Sequence, residues 1–136
     1  MLREYPPRHK LLSAALQLCD GRIVTGKTSS LLGASAALIL NALKTLAEIP
    51  DKVDIIDPAV IEPIQKLKVD HFGSANPRLH TDEILIALSM SAVTNPTAKL
   101  AMDQIHKLRD TDAHATVILS ETDTRTLKKL GIMLTT

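Results

Sequence analysis

Residues 14–30 read Ala14-Ala15-Leu16-Gln17-Leu18, then Cys19-Asp20-Gly21, Arg22-Ile23-Val24-Thr25 and Gly26-Lys27-Thr28-Ser29-Ser30. From Gly21 to Thr28 they carry the spacing Gly-x-x-x-x-Gly-Lys-Thr, which is that of a phosphate-binding P-loop. In a P-loop a buried strand ends before the first glycine, and the next four residues wrap phosphate with their N–H groups. Here those four are Arg22, Ile23, Val24 and Thr25, and their β-branched character suits a strand. Asp20-Gly21 is a tight-turn pair, since glycine accepts positive φ. Ala14–Leu18 is a second short apolar run. The stretch therefore predicts a β-hairpin, with strands at 14–18 and 22–25 and a turn at 19–21. The P-loop string is a false positive.

Outward from the hairpin, the run after Ser29 predicts a helix over 29–48, apolar on nearly all sides and so buried against a sheet. Val53–Ile56 is a short strand candidate. Asp57-Pro58 suits a cap and a first helical position. Pro63 then argues for a short turn at 58–61 and a helix over 62–69. Residues 70–79 are rich in turn formers. A helix over 81–93 opens on Thr81-Asp82-Glu83, with acids at its positive end. Asn95-Pro96 caps another, whose Ala98, Ala101, Met102, Ile105 and Leu108 share one face. His114–Leu119 is a strand, Glu121-Thr122-Asp123 follows and leads into a short helix to Leu130 stopped at Gly131, and 132–135 is the last strand. Strand, helix, strand implies a parallel crossover. The order is ββα-β-ααα-β-α-β. It describes one α/β domain over 1–136, a three-layer α/β/α sandwich with a mixed sheet: an N-terminal hairpin, then parallel strands.

Composition narrows the function. Sixteen Lys and Arg against fifteen Asp and Glu give a formal net charge of +1. This gives no electrostatic case for nucleic acid or a membrane surface. Tyr5 and Phe72 are the only aromatic residues, too few for a base-stacking platform. The single cysteine, Cys19, excludes an intrachain disulfide and a CxxC metal knuckle, and fits a reducing cytoplasm. The opening LREYPPRHK is too polar for a secretory signal. The uncharged run Thr28–Leu43 is shorter than a membrane span.

Ligands of parallel α/β sheets sit beyond the carboxyl ends of the strands. Three polar groups are expected there: Gly26-Lys27-Thr28-Ser29, where a helix start can hold an anion; Asp57; and Ser120-Glu121-Thr122-Asp123. Against this, Asp57 and Asp123 are plain helix caps and Lys27 a solvated cation. The loop Asn76–Glu83 is the other dense polar patch. In it Arg78 can grip a carboxylate or phosphate, and His80 with Glu83 can form an acid–base pair. A solvated loop and helix start is the competing reading. His80 and Glu83 are too few ligands for a metal site, and nothing in the chain calls for a metal or cofactor. His9, His71, His106 and His114 read as ordinary surface or strand residues.

Three strings resemble the C-terminal part of a bacterial family known as domain-of-unknown-function family number 1846: DGRIVTGKTSSLLGASAALILNALKTLA (20–47), GSANPRLHTDEILIALSMSAVTNPTAKLAM (73–102) and HATVILSETDTRTLKKLGIMLTT (114–136). Together they cover most of the chain. Family members are much longer, so the resemblance implies a C-terminal domain whose partner is the N-terminal part of the same protein. Some members carry a peptidase label, but this chain has neither HExxH nor GxSxG.

The element order is also similar to that of the cytidine deaminase fold. Deaminase chemistry needs a His or Cys ligand, a Glu two residues on, and a later PCxxC. The corresponding helix here reads Gly33-Ala34-Ser35-Ala36-Ala37-Leu38, without ligand or acid. The resemblance implies that fold without its zinc site. Three functional expectations follow. The first is a non-catalytic interaction domain, packing on the N-terminal region or on a second copy. The second is half of a composite phosphate- or nucleotide-dependent site. The third is a small-ligand sensor.

Overall fold

The computed structural model describes residues 13–116 and 119–135. Tyr5, His9 and residues 117–118 of the expected fourth strand lie outside them. The hairpin forms as its turn chemistry requires: β1 is Ser13–Gln17 and β2 is Ile23–Lys27. At the turn Gly21 has φ +94°. Arg22 Nε donates to Asp20 Oδ2 at 2.8 Å, and this bond is the main cause holding the exposed Asp20 carboxyl below its ordinary pKa. Gly21 thus belongs to the turn and Ile23–Lys27 to a strand, not to a phosphate-wrapping loop.

The remaining strands are β3 (Asp112–Ala115) and β4 (Met133–Thr135). The sheet order is β2-β1-β3-β4. β1 runs antiparallel to both β2 and β3, and β3 runs parallel to β4. Register follows side-chain alternation. Gly26, Ala14 and Ala115 form one row across the sheet, and Val24, Leu16 and Ala113 the next. All six are buried. The rows between carry Thr25, Ala15 and His114, then Ile23, Gln17 and Asp112, and face outward.

Helices α1 (Ala34–Leu46), α2 (Pro58–Lys66), α3 (Thr81–Ser91), α4 (Pro96–Met102) and α5 (Glu121–Lys129) supply the other half of one continuous core. Leu38, Ile39 and Leu43 of α1, Ile84 and Leu88 of α3 and Leu127 of α5 are fully buried in it. The described helices pack on the Gly26–Ala14–Ala115 face. The second helical layer of the expected sandwich is not among the described residues, where the sheet keeps the one-sided alternation of a half-buried antiparallel sheet.

Besides α4, which stops at Met102 before a separate 3-10 turn at Ile105–Leu108, and β3, which begins at Asp112 rather than His114, three elements depart from the sequence expectation. α1 starts at Ala34 rather than 29. Ser29 Oγ accepts from the N–H groups of Leu31 and Leu32, and the chain then crosses to Leu79 through a parallel bridge from Leu32. An apolar run alone does not separate such an extended segment from a helix. Residues 53–56 are not a strand: Ile55 and Ile56 are both buried, whereas consecutive strand residues face opposite sides. Finally, α2 begins at once from its Asp57 cap and runs through Pro63. A π-helical turn, Leu67–His71, extends it.

Among the described glycines the closest approach of another backbone is at Gly26, between β2 and α1. A methyl group at Gly26 would lie 2.3 Å from the Leu38 backbone nitrogen and 2.5 Å from its Cα. Gly26→Ala should therefore cost about 2 kcal/mol or more, as overpacking against rigid backbone does. Thr25→Ala, on the open face, should stay within about 0.5 kcal/mol of the parent. Urea unfolding checks both, and equal stability of the two variants would refute the close-approach argument.

Candidate functional site

The chain alternates between two ends of the domain, and one end gathers the starts of three helices. α1 opens there from Gly33, α3 from His80 and α5 from Ser120. Between them lies a cleft of about 210 Å³ lined by Thr28, Gly33, Ser35, Arg78, His80 and Asp123, among others. Each helix start handles its N–H groups differently. At α5, Ser120 Oγ accepts from Asp123 N at 3.1 Å. At α3, Asp123 Oδ1 accepts from Thr81 N at 2.8 Å, so an acid from one helix caps another. At α1 the cap is Gly33 and no side chain accepts.

Behind the cleft these starts are tied together by buried polar contacts. Ser35 Oγ and Thr81 Oγ1 lie 2.8 Å apart, fully buried. Glu83 Oε1 accepts from His80 N and from Lys68 Nζ, both at 2.8 Å. Lys68 Nζ also donates to the Arg78 carbonyl at 2.7 Å. Arg78 is held from three sides: N–H to Asn76 Oδ1, carbonyl to Lys68, and Nε to the Ser29 carbonyl. The guanidinium is therefore set on the cleft wall rather than left to sweep through solvent. Positive helix ends and a fixed Arg favour an anion, and Asp123 is the counterweight.

The sequence candidates divide accordingly. Thr28, Arg78, His80, Ser120 and Asp123 share the cleft. Ser29 contributes its carbonyl. Gly26 and Lys27 belong to β2, so the expected helix start at 26–29 is corrected to 33–35. Asp57 does not line the cleft. It caps α2, accepting from Ala59 N at 2.9 Å, in the connection that follows the far end of α1. Glu121 is exposed and pairs with Arg125 at 3.5 Å. Sequence reasoning missed Ser35 and Lys68. Gly33-Ala34-Ser35 was hidden inside an apolar run, although glycine is an accepted N-cap. Among the described residues no three His, Cys, Asp or Glu are placed to hold a metal ion. No described helix is long and apolar enough to cross a membrane.

An α/β domain with a mixed four-stranded sheet and a cleft at three helix starts is the class defined so far. The family described as "Domain of unknown function DUF1846, C-terminal" matches residues 2–136, and the chain belongs to it. The UPF0371 protein of Corynebacterium glutamicum is 56% identical over 121 residues, which cover 89% of this chain and 24% of that protein. A UPF0371 protein of Corynebacterium diphtheriae is 50% identical over 133 residues, covering 98% of this chain and 27% of that protein. One from Streptococcus pyogenes is 54% identical over 121 residues, covering 89% and 24%. The chain thus spans about a quarter of the length of the curated relatives it matches.

Asp123 provides the test of the site's construction. Asp123→Ala should lose about 1–2 kcal/mol, the range for a lost N-cap. Asp123→Asn, which keeps an acceptor, should recover most of that. Thermal unfolding reads the difference. Equal losses would mean that the carboxylate charge against the helix starts, rather than the hydrogen bond, is what matters.

Proposed function

We propose that this chain is a non-catalytic α/β accessory domain that completes a longer bacterial protein by packing against the region upstream of it. The carrying observation is that relatives of this similarity are about four times its length. In keeping with this, β1 begins at the cleft end of the sheet, where Ser13 pairs with Lys27 and accepts from Thr116 N at 3.0 Å. Polypeptide upstream of β1 joins the domain beside the cleft. The hairpin leading to a buried helix supports a deaminase-like arrangement, and the lone, exposed Cys19 supports a reducing cytoplasm.

The fixed Arg78 guanidinium and the helix starts around it favour a second reading. In it the cleft is one wall of a composite site for a phosphorylated or carboxylate ligand, whose opposite wall is upstream. A sensor uses the same wall without turnover.

Calorimetry separates these readings. On the accessory reading, this domain melts at a higher temperature within a full-length relative than alone. Two independent transitions, the second at the temperature of this chain alone, would sink it. On the composite reading, phosphate, ATP, ADP or an amino acid at a hundred times its dissociation constant adds about 2.7 kcal/mol to the full-length protein. The variant aligned with Arg78→Ala should lose that gain. Retained stabilisation would rule the cleft out.

A further inference from the structure

The turn that extends α2 is built inside out. A surface helix normally points apolar side chains at the core and lysines at water. Ile61 and Ile64 follow that rule as part of the core or packed against it. The next place on the same stripe belongs to Lys68, which is 8% exposed, while Leu67, Val69 and Phe72 are 44%, 41% and 74% exposed. Phe72 is the only phenylalanine in the sequence. A cation is turned inward and three apolar side chains outward, on a short segment with no described element over them. Leu67 and Val69 flank Lys68 and Phe72 closes the segment, so the exposed apolar side chains are gathered within six residues, and such concentration favours a contact surface.

We propose that this ridge, Leu67, Val69 and Phe72, is where the upstream part of the longer protein docks. The inference rests on the accessory-domain reading and names the face through which it operates. Two observations choose the occupant. First, about three-quarters of the relatives' length lies outside the matched segment, and the preceding chain meets the domain at Ser13, whose strand partner Lys27 leads directly into Thr28 of the cleft. Second, the ridge backs onto that same end. Gln65 Nε2 donates to the Ser30 carbonyl at 3.0 Å, and Lys68 holds the Arg78 carbonyl and Glu83.

Among the described residues a second exposed apolar surface is a stripe of Ile86, Met90 and Val93, joined by Leu100. It lies toward the far end of α3, Met90 being about 15 Å along the helix from His80 at 1.5 Å per residue. The open sheet face is mostly polar. Docking on the ridge has a consequence that docking elsewhere lacks. Lys68 joins the covered surface to Arg78 and to the capping of α3, so closure against the ridge also fixes the cleft wall.

Thiol labelling distinguishes the faces. Single cysteines replace Phe72, Met90 or Met133 in this chain, with Cys19→Ser, and the aligned residues in a full-length relative cleared of its own cysteines. Maleimide labelling at position 72 should be slower in the full-length protein by about tenfold or more, as for a surface exposed only by transient opening. Slowing at 90 or 133 with position 72 unchanged overturns the ridge and leaves the packing reading standing. Unchanged rates at all three positions overturn both.

Discussion

The contact between Gly26 and the backbone of α1 at Leu38 sets the first helix against the sheet, and the rest of the packing is arranged around that helix. A glycine in mid-strand weakens the strand, and is kept where another backbone must come close. Here it lets α1 lie directly on the hairpin. That contact puts the start of α1 beside the end of β2, and hence Gly33 and Ser35 beside Thr28. The second glycine of the P-loop string therefore has a physical reason unrelated to phosphate. Its place is set by helix–sheet packing, and the lysine after it points away from the core at the strand's end.

With α1 fixed, the other helix starts are positioned by polar groups at the edge of the apolar core. Ser35 to Thr81, Thr81 to Asp123 and Asp123 to Ser120 form a short chain joining three helices. Each member is buried or beside a buried partner, so each must be satisfied or cost stability. The arrangement is demanding, because removing one acceptor strands a donor on a different helix. It is also how the cleft acquires polar walls. Of the groups that align the helices, Ser35, Ser120 and Asp123 also line the opening.

The fold was legible wherever local chemistry decided it. Asp20-Gly21 between two short β-branched or apolar runs gave the hairpin, Asn95-Pro96 gave a helix start, and the order of β3, α5 and β4 followed from strand, helix and stop, although the cap of α5 is Ser120 and not the Asp123 that was expected. Failures came where tertiary contacts overrode periodicity. Leu31 and Leu32 read as helix because they are apolar, yet they cross to Leu79 in extended form. Ile55 and Ile56 read as strand, yet both turn inward. Of the site, Arg78, His80, Ser120 and Asp123 were legible as polar residues next to helix starts. Asp57 was grouped with them only because a strand was expected before it, and without that strand it falls away. Lys68 carried no local signal, since a lysine in an exposed-looking turn is ordinarily solvated.

Lys68 is also where packing and site meet. A buried lysine is tolerated only when its charge is met, and here one carboxylate and one carbonyl meet it at hydrogen-bond distance. Both belong to the segment that shapes the cleft. Reversing the segment, with Lys68 out and Leu67 or Val69 in, would suit an isolated domain better. It would also release Glu83 from its second partner and Arg78 from one of its three restraints. The inverted turn therefore makes sense as a compromise between two surfaces, an inner one that needs a cation to hold the cleft and an outer one whose apolar side chains are suited to a protein surface rather than to water.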